Sequence, residues 1–220
     1  YKNYTAQQIL NWGRSFGDHN VEAIAGHESF YDNYNYLYGY KTTETFAGKE
    51  DLINFTEITN LYDYGVTYTT EGYFSRAKYN FNQKYFAEGS FRRDGSSKFS
   101  SQKRWGNFWS VGGSWIISKE DFFNVKAIDN LKFRTSYGQV GSDMGAKKYA
   151  YHALYNIAQN SNIAALYKEQ NGAEDLMWET SSSIGAALEG RAFDRLNFTI
   201  EYFDKRSDNL LFDINLPLSS

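Results

Sequence analysis

Gly13-Arg14-Ser15-Phe16-Gly17 matches the G-x-S-x-G pattern of a serine nucleophile, and His19 follows close behind. A nucleophile elbow requires a strand, that turn and then a helix, which together expose the serine at the end of a sheet. Here Asp18-His19-Asn20 reads as a turn, and Val21-Glu22-Ala23-Ile24-Ala25 alternates as a strand does. Without the helix, the match is a coincidence at a hairpin. Three acidic doublets, Glu50-Asp51, Glu120-Asp121 and Glu174-Asp175, place carboxylates side by side. A glycosidase needs two carboxylates facing across a cleft, about 5–10 Å apart. Neighbours on extended chain point to opposite faces, so no doublet is such a pair. His19, His27 and His152 lack a metal-ligand spacing such as H-E-x-x-H, and there is no cysteine for a disulfide or a thiolate site. The expectation is a protein with no catalytic, cofactor-binding or metal residues. It is not an enzyme.

The elements behind these residues are read from composition and periodicity. The chain has 220 residues, enough for one domain, with 23 Lys+Arg against 26 Asp+Glu. A net charge of −3 argues against nucleic acid as the partner, which calls for a basic face. No run of 18 apolar residues exists, so no membrane-spanning helix is expected. The chain opens Tyr-Lys-Asn-Tyr, with neither Met nor an apolar core. It therefore reads as an internal piece of something larger, without a signal peptide. It is hydrophilic on average, yet 19% of its residues are aromatic. Strands with one apolar and one wet face reconcile the two facts.

Alternation recurs along the chain. Tyr85, Ala87 and Phe91 oppose Glu88, Ser90, Arg92 and Asp94. Trp105, Trp109, Val111 and Trp115 oppose Gly106, Ser110, Gly112 and Ser114. Leu131, Phe133 and Tyr137 oppose Lys132, Arg134 and Ser136, and Leu196, Phe198, Ile200 and Tyr202 oppose Asn197, Thr199 and Glu201. About eight strands follow, near 4–16, 20–36, 66–80, 84–96, 103–118, 130–141, 177–190 and 195–214. Several are long enough to cross a bilayer when tilted. Tight turns near 17–20, 80–83 and 193–195 alternate with long loops near 37–65 and 142–176. Outer-membrane barrels sort their turns this way. A helical turn or two is expected around 51–61 and at Ile163-Ala164-Ala165-Leu166.

The aromatic faces fit either a lipid-facing band with Trp and Tyr girdles or a soluble core with a sugar-stacking platform. The run Tyr31-Asp32-Asn33-Tyr34-Asn35-Tyr36-Leu37-Tyr38-Gly39-Tyr40 is similarly open. It suits a binding surface, or a strand end with tyrosines at the headgroup level.

One stretch is more specific. Arg92-Arg93-Asp94-Gly95-Ser96-Ser97-Lys98-Phe99, then Arg104-Trp105-Gly106-Asn107-Phe108-Trp109-Ser110-Val111, then Gly113-Ser114-Trp115-Ile116-Ile117-Ser118-Lys119-Glu120 resembles the SusC/RagA family of TonB-dependent outer-membrane transporters. Leu131-Lys132-Phe133-Arg134-Thr135-Ser136-Tyr137-Gly138, Leu176-Met177-Trp178-Glu179 and Asp208-Asn209-Leu210-Leu211 follow in the same order. Phe16-Gly17-Asp18-His19-Asn20 and Gly26-His27-Glu28 resemble it too, so the likeness covers nearly the whole chain. Trp109 stands where that family usually has proline, and Gly172-Ala173-Glu174-Asp175 replaces a common Asn-Pro step.

The resemblance implies an all-β fold: a transmembrane antiparallel barrel of 22 strands with a plugged lumen, of which about eight strands are here. Residues 1–220 would be part of one barrel domain, without the plug, the TonB-contacting segment or the closing C-terminal strand. The function implied is import of oligosaccharide or peptide across the outer membrane of a Gram-negative bacterium. A SusD-like surface lipoprotein would cap the barrel, and TonB with its inner-membrane motor would supply energy. Apolar faces would meet outer-membrane lipid, while Glu88, Arg92, Asp94, Lys132, Arg134 and Glu201 would face the lumen and hold the plug. Tyr31, Tyr34, Tyr36, Tyr38, Tyr149, Tyr151 and Tyr155 would lie on long loops where ligand or lipoprotein is met. The alternative is an autonomous, lectin-like β-barrel that binds glycans through its aromatics.

Overall fold

The computed structural model describes residues 1–160 and 163–212. Among these the chain forms ten strands: β1 (Lys2–Phe16), β2 (His19–Glu44), β3 (Phe55–Phe81), β4 (Tyr85–Ser96), β5 (Trp105–Ile116), β6 (Ile128–Ser142), β7 (Leu154–Asn160), β8 (Ile163–Gln170), β9 (Glu179–Ala192) and β10 (Leu196–Asp208). Eight of them make one sheet in the order β1-β2-β3-β4-β5-β6-β9-β10, every pairing antiparallel. The β7–β8 hairpin is inserted between β6 and β9 and pairs only with itself among the described residues.

Connection lengths sort as the sequence indicates. At one end the turns are tight, and positive φ closes them: +59° at Gly17, +50° at Asn82 and Gln83, +53° and +54° at Phe193 and Asp194. Two successive residues in that region match the right-handed twist of the flanking strands. These turns are tied sideways, Asn82 N donating to Asp18 O at 2.8 Å and Phe193 N to Ala127 O at 3.0 Å. The long connections lie at the other end.

Four expectations need correction. The run 37–65 is not a loop, because β2 and β3 continue outwards as a paired hairpin as far as Glu44 and Phe55. Cross-strand tyrosine pairs and β-branched Ile58 and Thr59 suit a ladder better than open loop. A 3-10 turn, Leu52–Asn54, is what remains of the expected helix around 51–61. There the chain wraps Asn54, whose side chain donates to Phe46 O and Lys49 O at 2.8 Å each. Ile163-Ala164-Ala165-Leu166 belongs to β8, its two alanines opposite Gln159 and Ala158. The last expected strand ends inside the described chain at Asp208, and positions 213–214 lie outside the described residues.

Register divides the sheet into two faces, since side chains alternate strictly. Tyr85, Ala87 and Phe91 pair with Trp115, Gly113 and Trp109, Trp115 pairs onward with Phe133, and Phe133 with Leu188. Glu88 lies opposite Lys78, Lys132 opposite Glu189, and Glu201 opposite Ala187. One face is aromatic and apolar, the other charged and small. The sheet is open: β1 and β10 each carry one partner strand, and every residue of β1 is exposed. Among the described residues, the buried apolar side chains are Phe99, Phe108, Ala146, Ala187 and Ala192. An autonomous closed barrel needs both edges joined and an interior filled. Among the described residues neither is present, which does not fit that alternative.

Candidate functional site

The six charges expected in the lumen all fall on one face, joined by ion pairs. One Arg76 guanidinium nitrogen reaches both Glu88 oxygens at 2.7 Å. Arg92 Nε reaches Asp94 at 2.7 Å, and its other arm Glu28 at 3.3 Å. Glu189 accepts from Arg134 at 2.6 Å and pairs with Lys132 at 3.7 Å, while Arg134 also meets Glu201 at 3.3 Å. Glu28, Arg76 and Glu189 are not among the residues that the sequence assigns to the lumen. They lie on β2, β3 and β9, and only register shows that their faces coincide. Between the charge rows the face is floored by Ser90, Ser110, Gly112, Ser136 and Gly138, with the Ser90 and Ser110 hydroxyls 2.7 Å apart.

The opposite face carries two belts of rings. At the tight-turn end, Phe16, His19, Phe81, Tyr85, Trp115 and Phe122 follow one another with centroids 4.8–6.4 Å apart. Glu120 fixes two of them, accepting from the Tyr85 hydroxyl at 2.5 Å and from Trp115 Nε1 at 2.9 Å. At the other end, Tyr4 stacks on Tyr31 at 5.0 Å, and Tyr73 bridges His27 and Trp105. Between the belts stand Leu10, Phe91, Val111, Ile184 and Ile200, all exposed. The G-x-S-x-G stretch is part of this wall: Ser15 is in β1 and His19 stacks in the belt on the opposite face.

At the long-loop end, the segment after β6 folds back across the charged face. Asp143 accepts hydrogen bonds from the Tyr68 hydroxyl at 2.7 Å and the Ser96 hydroxyl at 2.6 Å, and Lys98 Nζ sits 3.7 Å away. Lys148 pairs with Asp32 at 3.4 Å and lies over the Tyr68 ring. Tyr149, with φ at +63°, accepts from Thr67 N at 2.9 Å. Beside this strap, Trp178 packs against Phe99 and Phe108, 5.4 Å from each, and donates to Arg104 O. The Phe108 ring occupies the space that a side chain on Gly106 or Gly141 would need. Tyr68 stands beyond the last β3–β4 pair; burial first, then the Asp143 hydrogen bond, push its phenol well above its ordinary value.

The structure separates the tyrosines that the sequence grouped. Tyr34, Tyr36 and Tyr38 are on β2 rather than a loop and continue the charged face, alongside Tyr62 and Tyr64 of β3. Tyr31 points to the aromatic face. Tyr149 pins the strap, Tyr151 lies against its neighbour His152, and Tyr155 stands exposed on β7.

An antiparallel meander with sorted turns, an apolar band between two ring belts and a polar reverse face has the make-up of the wall of a large transmembrane β-barrel. The chain belongs to the TonB dependent receptor-like β-barrel family, whose model matches residues 1–219. It is 29% identical to TonB-dependent receptor P39 of Formosa agariphila, over 99% of this chain and 21% of that protein. It is likewise 29% identical to TonB-dependent receptor SusC of Bacteroides thetaiotaomicron, over 71% of this chain and 17% of SusC. Among solved structures, the RagAB peptide importer in its closed-closed state superposes with a TM-score of 0.88, and in its open-open state with 0.77. In both, identity is 23%, covering 98% of this chain and 24% of that one. At that identity, the likeness is one of fold. The chain spans about a fifth of the length of the relatives it matches.

Proposed function

We propose that this segment is barrel wall from a TonB-dependent importer in the outer membrane of a Gram-negative bacterium, taking up oligosaccharide or peptide. The observation that carries the reading is the two-faced register. The ring belts match the two interfaces of a bilayer and the apolar band its hydrocarbon, while closure with further strands satisfies the backbone of both open edges. On this reading residues 1–220 are part of a single barrel domain. Glu88, Arg92, Asp94, Lys132, Arg134 and Glu201 face the lumen, where their half-exposed ion pairs hold a plug by exchanging partners with it.

In the same reading, the β2–β3 hairpin rises on the outer side, within reach of ligand and of a SusD-like lipoprotein. Support for that partner comes from the likeness to SusC and to the RagAB fold. TonB acts through parts of the protein other than this wall. The test is isolation of the full-length tagged protein from its own organism. It should fractionate with outer membranes and co-purify, after detergent extraction, with a surface lipoprotein. A soluble protein would contradict the reading.

A further inference from the structure

We infer that the outer part of the β2–β3 hairpin is a stacking track for an uncharged oligosaccharide; this rests on the import reading and narrows it to one ligand class. Pairing with β1 ends at Asn33 and pairing with β4 at Thr70, so beyond those positions the hairpin has no further strand beside it among the described residues. At its base the Tyr1 ring meets Tyr34 at 6.3 Å, and Thr67 and Thr69 bond to Tyr149 and Ser97. On it, Tyr34, Tyr36, Tyr38, Tyr62 and Tyr64 form one unbroken row, with ring centroids 5.3–6.2 Å apart. Cross-strand ring pairs of this kind support an isolated hairpin, which is marginal alone. Three of these rings remain 37–48% exposed.

Two features select the ligand. The first is charge: no charged side chain shares the row, and Asp63 of the same hairpin alternates onto the other face. A uronate, a sulfated sugar or a peptide with charged groups would find no counter-charge along it, and its desolvation would go uncompensated. A pyranose chain offers C–H faces to the rings and hydroxyls to the phenols, and Tyr supplies both contacts at low conformational cost. The second is continuity. Asp32 precedes Tyr34 on the same face and pairs with Lys148 of the strap at 3.4 Å, so the row meets the charged face where the strap crosses it. A chain held on the track is thereby delivered end-on to the strap and the lumen beyond it.

The experiment uses the full-length receptor in its native host. A deletion strain is grown on limiting neutral oligosaccharides, uronate- or sulfate-bearing oligosaccharides, and peptides, each as sole carbon source. The expected result is loss of growth on a neutral oligosaccharide. The Y36L/Y64L receptor, which keeps apolar cross-strand packing but removes two rings, should then need about tenfold more of that substrate for half-maximal growth. Maximal growth and surface abundance should be unchanged, and Y36F/Y64F should restore most of the loss. A defect confined to charged oligosaccharides or peptides overturns the inference while leaving import intact. So does a normal response from Y36L/Y64L at normal abundance. If deletion affects no nutrient, the import reading itself has failed.

Discussion

Tyr68 and Asp143 are 75 positions apart, yet the Tyr68 hydroxyl donates to the Asp143 carboxylate at 2.7 Å. That bond, with those from Ser96 and Lys98, ties the segment after β6 across the charged face to β3 and β4. A strap so placed narrows the mouth of any barrel built from this wall. Its hold depends on a few polar atoms in a largely buried setting.

The first prediction concerns this tie. Tyr68→Phe removes one hydrogen bond to a charged acceptor, worth about 1.5–3 kcal/mol. The strap should then open about tenfold or more often, read as faster trypsin cleavage after Lys148 in the full-length receptor. Unchanged cleavage would mean that the strap is held by its apolar neighbours, Phe99, Phe108 and Trp178.

The tie also has a pH signature. The Tyr68 phenol is raised in the folded protein above its ordinary 10.0, so the folded state keeps the proton more tightly. The resulting stability is fully present below pH 10 and is lost as pH rises through the folded value. Alkaline titration by ultraviolet absorbance should show one tyrosine ionising after the others, and Tyr68→Phe should abolish that late step.

The two faces should respond oppositely to charge. Val111 is 51% exposed and would tolerate a cation in water. In the apolar band, Val111→Arg should instead cost about 2–4 kcal/mol if the residue lies near the bilayer midplane. Arg134→Gln, on the charged face, should change stability only slightly, because its ion pairs are half exposed and solvent-screened. Urea titration of the receptor folded in lipid vesicles measures both.

Much of this was legible in the sequence because a period of two survives in a single strand. Phe91 against Arg92, or Phe133 against Arg134, assigns faces without knowledge of the neighbouring strand. The outward hairpin was hidden because Tyr, Asn and Gly together read as turn, and only pairing such as Tyr36 opposite Tyr64 makes them ladder. Ala164 and Ala165 suggested helix by intrinsic preference, which pairing with β7 overrides. Tyr31 was grouped with Tyr34 by proximity, although an odd separation puts the two on opposite faces. The strap was invisible, since Asp143, Lys148 and Tyr149 meet partners 45 to 116 positions away.

The central claim is that one face meets lipid and the other water, and cysteine labelling tests it most directly. This stretch has no cysteine of its own. Single Val111→Cys and Ser110→Cys variants of the full-length receptor, freed of any other cysteine and folded in vesicles, would be exposed to a membrane-impermeant maleimide and to a lipid-borne quencher. The account predicts that position 111 resists the maleimide and a fluorophore there is quenched from the lipid, while position 110, one residue away, is labelled and unquenched. Equal labelling of both positions, or the reverse pattern, would contradict it.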